Sequence, residues 1–226
     1  MEIVKAEKPA LLKIASHVLG KPITEIEGIV ESEMLYLQQR VSLSGPLQQC
    51  TAESLLMCIR HAIRDNMSLD ESAGLVYIYP QGVKTASGEW VKVAKYELSP
   101  NGRVSLARQT GNILDNKQVK LVKEGKKVIG GYIELLIPSH PSPRWEKFEF
   151  EESDIERWAK YSAKKNKNTG ANILYSNGPG GGIDEGFMKA KVLKHSLKNM
   201  GTNVSETRGR VLEPLPEDFK GPLTES

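Results

Sequence analysis

The side chains of this sequence best suited to chemistry are its cations, and the most informative set lies in residues 187–201, FMKAKVLKHSLKNMG. Ammonium groups at helical spacing hold phosphates and other anions without any covalent step. On a wheel of about 100° per residue, Ala190, Leu193, Leu197 and Met200 form one apolar stripe. Lys191, Lys194, His195 and Lys198 gather opposite it, and Lys189 stands at the edge of the stripe. Two readings stay open for each group. The opposite face is either an ordinary solvated lysine face or an anion-binding one. Lys189 either snorkels from the core edge or lines a groove.

Further cations are dispersed over predicted strands and a second helix. Lys92, Lys95, Arg103, Arg108, Arg157, Lys160 and Lys189 are placed to track a phosphate backbone. Trp90, Tyr96, Trp145, Trp158 and Tyr161 are candidates to stack on bases, although rings of this kind more commonly fill cores. The formal net charge of +3 does not by itself indicate a nucleic-acid partner. Its distribution is more telling. Lys160, Lys164, Lys165, Lys167, Lys189, Lys191 and Lys194 all fall between Arg157 and Lys198, whereas residues 206–226 are rich in acid and proline.

Other chemistries find little support. The run Gly178-Pro179-Gly180-Gly181-Gly182 lacks the G-x-x-x-x-G-K-[ST] pattern and follows no strand directly, so it reads as a flexible linker and not as a nucleotide loop. His17, His61, His140 and His195 are scattered, without H-x-x-x-H or H-E-x-x-H spacing. A two-metal nuclease needs acids at the ends of core strands. Glu134 lies inside the predicted strand VIGGYIELL, and Asp70 and Glu71 lie in a turn. No Ser, Cys or Thr carries a local nucleophile signature. No cofactor is expected.

These groups have to be positioned by a mixed fold. Of the 226 residues 39% are apolar and 26% charged, enough for a sizeable core. No apolar run reaches the length of a membrane span. The charged N-terminal stretch MEIVKAEKP and the two isolated cysteines, Cys50 and Cys58, point to a reducing cytoplasm. Residues 9–19 and 23–43 read as helices, and residues 51–64 as a largely buried helix capped by Thr51, with Cys58 in the core. Residues 74–80, 89–96, 117–122, 128–137 and 144–150 read as strands. Pro100-Asn101-Gly102 signals a turn before a short helix at 104–109, and Glu124-Gly125-Lys126 a hairpin turn. Ser153 and Glu156 suggest a capping box for a helix to about Lys165, with Ile155, Trp158 and Ala159 inward and Arg157, Lys160, Lys164 and Lys167 forming a basic stripe. The expected class is α+β: a small antiparallel sheet packed with helices, an N-terminal helical lobe (1–48), a core (49–205) with basic C-terminal helices, and a disordered tail (206–226). The N-terminal helices make subunit contacts or pack on the core of their own chain.

Several segments, in order, resemble the RecT family of phage-type single-strand annealing proteins. They are LDESAGLVYIYP at 69–80, VKVAKYELSPNGRVSLARQTGNI at 91–113, KVIGGYIELL at 127–136, FEFEESDIERWAKYSAKK at 148–165 and FMKAKVLKHSL at 187–197. The resemblance covers about residues 50–201, with LARQTG the nearest local match. There are departures. Ser99-Pro100-Asn101-Gly102 replaces the family's Gly-Tyr-Lys/Arg-Gly turn, with Arg103 one residue on. Lys189 and Lys194 match basic positions of the last helix, while Ala190 and Lys191 stand where Lys and Thr are favoured. The long glycine loop replaces a common Trp.

The resemblance implies a protein that binds single-stranded DNA without ATP, anneals it to a complementary strand and holds the duplex in phage-type homologous recombination. It also implies homo-oligomeric rings or helical filaments, a 5′→3′ exonuclease and a host single-strand-binding protein as partners, no membrane, and no covalent catalysis. The DNA-contact candidates are Lys92, Lys95, Arg103, Arg108, Arg157, Lys160, Lys164, Lys189, Lys191 and Lys194. The alternatives are a non-annealing single-stranded-DNA-binding accessory protein and a metal-dependent nuclease.

Overall fold

The computed structural model describes residues 8–166 and 170–199. Lys167, Met200 and the 206–226 tail therefore lie outside the described residues. The protein is α+β, with small antiparallel sheets packed against helices. It divides into two compact units between Leu106 and Ala107.

In the first unit, α1 (Lys8–Leu19) and α2 (Ile23–Leu43) form a helical hairpin. Leu11 and Ala15 of α1 and Ile26, Val30, Leu37 and Val41 of α2 are buried, at the three- and four-residue spacing of one helix face. Met34 is only half-buried, and Glu33 takes the inward position. Its carboxylate accepts the Leu69 N–H and the Ser68 hydroxyl, and burial pushes its pKa up. Both helices also pack on α4 (Ala52–Asp65), so one face of the N-terminal hairpin belongs to the core of its own chain. Between them lies the single-turn α3 (Gly45–Gln48). Thr51 caps α4 as expected. Cys58 is buried there, and desolvation pushes its thiol up to about 12, which suits a core residue.

α4 packs on β2 (Trp90–Leu98), which pairs with β1 (Val76–Lys84) from Val76↔Leu98 to Lys84↔Trp90 without a register shift. The Ala94 N–H leaves this ladder to reach Ser54 Oγ at 2.8 Å. Ala94 and its partner Pro80 are thus a non-hydrogen-bonded pair, and the proline nitrogen faces the free edge of β1. Beyond this pair the hairpin stays exposed, with Val83 and Trp90 open to solvent.

The Pro100-Asn101-Gly102 signal proves to be the first turn of α5 (Pro100–Gln109). Proline suits an N-terminal turn, where its missing N–H has no partner to lose. Ser99 supplies the cap: its Oγ accepts the Gly102 N–H at 3.0 Å and donates to Gly74 O at 2.6 Å.

The second unit is built on β5 (Lys127–Ile137). β3 (Asp115–Asn116) and β4 (Lys120–Glu124) pair along one edge, and β6 (Arg144–Phe150) along the other, all antiparallel. α6 (Glu152–Lys165) and α7 (Glu185–Asn199) cover one face, burying Val128, Ile133, Leu135, Phe150, Ile155, Trp158, Met188 and Val192. The cap of α6 lies two residues before the expected Ser153: Asp154 accepts the Glu151 N–H at 3.1 Å. The glycine run is not a free linker. Gly180 adopts φ +69°, and a Cβ there would stand 3.0 Å from Lys127 N, so the bare backbone packs against the start of β5.

Candidate nucleic-acid interface

Helices α6 and α7 meet through two rings. Trp158, only 6% exposed, stacks on His195 with centroids 4.4 Å apart and planes 10° apart, and Phe150 closes the group at 5.4 Å from Trp158. This contact corrects the wheel reading of α7. The stripe turned to the sheet is Met188, Val192 and Ser196, rotated about a third of a turn from the one expected. Leu197 is buried as expected, whereas Ala190 and Leu193 are half-buried. Two polar residues misled the wheel because each hides its polarity. The Ser196 hydroxyl donates to Val192 O at 2.7 Å, and the His195 imidazole packs in its neutral form.

The electrostatics of this seam are one-sided. The His195 pKa falls from 6.5 to about 4, first through burial and then through Lys191, Lys194, Lys198 and Arg157, every one a cation. Lys194 and Lys198 are exposed and have no ion pair among the described residues. Arg157 bonds Asp154 across one helical turn. Lys191 is half-buried over the Tyr175 and Phe187 rings, at 5.3 and 4.9 Å, and desolvation lowers its pKa. Such a field favours an anion at the rim of the seam.

The other candidates fall into separate settings. Lys160 sits 3.8 Å from Glu156, and Lys164 is exposed on the same helix, four residues after it; the exposed Tyr161 lies between them in sequence. Lys189 is exposed on the flank of the buried stripe away from Lys194, about 140° around α7. Arg108 bonds Asp115 and the Asn116 side-chain oxygen. In the first unit, Lys92 and Lys95 project from opposite faces of β2, as strand alternation requires, and the Lys92 ammonium bonds the Gln49 side chain. Arg103 pairs with Glu97 at 3.3 Å. Of the proposed stackers, Trp158 is core and Tyr96 packs on His61 at 5.5 Å, while Trp90, Trp145 and Tyr161 are exposed.

A second cationic surface escaped the sequence reading. The face of the β3–β6 sheet away from the helices carries Tyr132 and Glu134 of β5 beside Trp145, Lys147 and Glu149 of β6. Lys117, just after β3, donates to Glu134 at 2.7 Å, and its ammonium lies 4.9 Å from the Trp145 ring centre. Lys147 lies 4.2 Å from that of Tyr132 and bonds Glu149 at 2.9 Å. Lys120 stands opposite Tyr132 in register. The Lys117 hydrogen bond holds the Glu134 carboxyl below its ordinary range, with Lys120 and Lys147 adding to it. The period-two order of Trp145, Lys147 and Glu149 was the available signal.

Asp70 caps a short turn, and Glu134 is occupied by lysine. Among the described residues no group of three His, Cys, Asp or Glu is placed to hold a metal ion, and no helix is long and apolar enough to cross a membrane. No protein-family model matches the chain, and no curated protein matches it.

Proposed function

We propose that this protein binds single-stranded DNA and anneals complementary strands without ATP, in the manner of the RecT-type proteins its sequence resembles. The observation that carries the proposal is the cationic rim of the α6–α7 seam, where Lys191, Lys194, Lys198 and Arg157 all act on His195 with the same sign. Phosphates of a first strand would neutralise that field, and the cations would position backbone without reading base edges. The edges stay free to test a second strand. Each matched step adds about 1.4 kcal/mol of stacking, so complementary strands are retained and mismatched ones dissociate. No covalent step is needed.

One chain spans few nucleotides, so the proposal includes a homo-oligomer, ring or helical filament, that makes the groove continuous. The apolar side chains of α2 that remain exposed, Ile23, Ile29, Leu35 and Leu43, support a subunit contact through this helix. A 5′→3′ exonuclease, a host single-strand-binding protein and a cytoplasmic setting in a bacterial or phage-infected cell complete the reading.

The test mixes labelled complementary oligonucleotides with the protein, without ATP, and follows duplex formation. Acceleration is expected, with light scattering reporting large assemblies, and the Lys194→Ala/Lys198→Ala double variant should lose most of it. Binding without acceleration would leave a non-annealing accessory protein. Shortening of the strands when magnesium is added would identify a nuclease.

A further inference from the structure

We infer that the open face of the β3–β6 sheet is a base-stacking platform for single-stranded nucleic acid, with Trp145 and Tyr132 as its two rings. The inference takes its ligand class from the function proposed above but uses different residues. Trp145 keeps 44% of its surface exposed on a regular strand, against 6% for the core indole of Trp158. It stands opposite Leu136 on β5, four residues from Tyr132. That offset is about 14 Å of strand between their Cα atoms, so the two rings serve separate bases and not one.

Each ring already has a lysine ammonium near it, and a base stacked on the ring extends the same cation–π arrangement. Glu134 and Glu149 fix those ammoniums by hydrogen bonds of 2.7 and 2.9 Å. They also reduce the net charge of the face, which suits bases more than backbone. Three lysines around Glu134 leave the balance positive, and Lys120, which has no ion pair among the described residues, is the group available to a phosphate. Trp145 is exposed and Tyr132 half-buried, and aromatics on an open sheet face are a recurrent way of holding splayed single-strand bases. An acidic or apolar protein partner would use the lysines or the rings, but not both together.

The test compares binding of oligodeoxythymidine with that of an abasic oligomer of the same length. The native protein is expected to prefer the base-bearing strand by at least tenfold. Trp145→Ala should weaken oligodeoxythymidine binding by about 5- to 100-fold, leave its salt slope unchanged and not alter abasic binding. Trp145→Phe should retain most of the affinity. Lys194→Ala should instead weaken both oligomers and flatten the salt slope by roughly 0.7. Equal native affinity for the two oligomers, or full affinity in Trp145→Ala, overturns the platform even where Lys194→Ala weakens binding. Loss of binding in neither variant, or no binding by the native protein, overturns the proposed function as well. Should Trp145→Ala fail to fold, Trp145→Phe and the native comparison decide.

Discussion

Acidification offers a measurable handle on the α6–α7 seam. His195 has a pKa of about 4 in the folded chain against 6.5 ordinarily, because it is packed on Trp158 among four cations. The folded state therefore binds fewer protons than the unfolded state between these values. Stability from this group is present above about pH 6.5, is lost as pH falls towards 4, and changes no further below that. A fully shielded group would contribute about 3 kcal/mol over that fall, at 1.36 kcal/mol per pH unit. Solvent reaches part of the imidazole and reduces the effect to roughly 1–2 kcal/mol. Other groups titrate in the same range, so the assay is a difference: urea unfolding of the native protein and of His195→Gln at pH 7.5, 6, 5 and 4.5. The native protein should lose about 1–2 kcal/mol more than the variant between pH 7.5 and 4.5. Parallel profiles would refute the packing of a neutral His195 within a cationic ring. Single-stranded DNA at the rim should move the His195 titration upward, because phosphate cancels the field that depresses it.

Three further outcomes follow from local geometry. Ser99→Ala should cost about 1–3 kcal/mol in chemical denaturation, because it strands the Gly74 carbonyl and the Gly102 N–H; an unchanged midpoint would show that the cap of α5 is dispensable. A Cβ on Gly178 would stand 2.2 Å from Ile183 O, so Gly178→Ala should destabilise by about 1–3 kcal/mol, whereas a true linker would accept it without change. Cys50 and Cys58 are buried and both thiols are raised by desolvation, so Ellman's reagent at pH 8 should react far more slowly with native than with urea-unfolded protein; equal rates would contradict the core placement of Cys58.

The strands and long helices were legible because each buries one face, and periodicity records burial. α1, α2, α4 and β6 begin and end within a residue or so of expectation. Pro100-Asn101-Gly102 and the 178–182 run were misread because proline and glycine state only a backbone permission. Whether that permission serves a turn, a helix start or a close approach depends on a distant partner, here Gly74 and Lys127. The orientation of α7 was lost because Ser196 and His195 enter the interior with their polar groups satisfied or neutral. The lysines of the sheet face were missed for a related reason. Lys117, Lys120 and Lys147 come from separate segments and meet only through β5.

Pro80 bears on how copies of this chain can join. An exposed strand edge normally invites another strand, and the outer edge of β1 is long enough to accept one. The nitrogen that would donate at the middle of that edge carries a pyrrolidine ring instead of a hydrogen, and the ring projects into the space an incoming backbone would occupy. Ribbon-like extension from hairpin to hairpin is thereby obstructed, and with it the simplest route to fibrous precipitation. Copies of this chain that meet at this hairpin would therefore have to join through side-chain surfaces and not through a shared sheet.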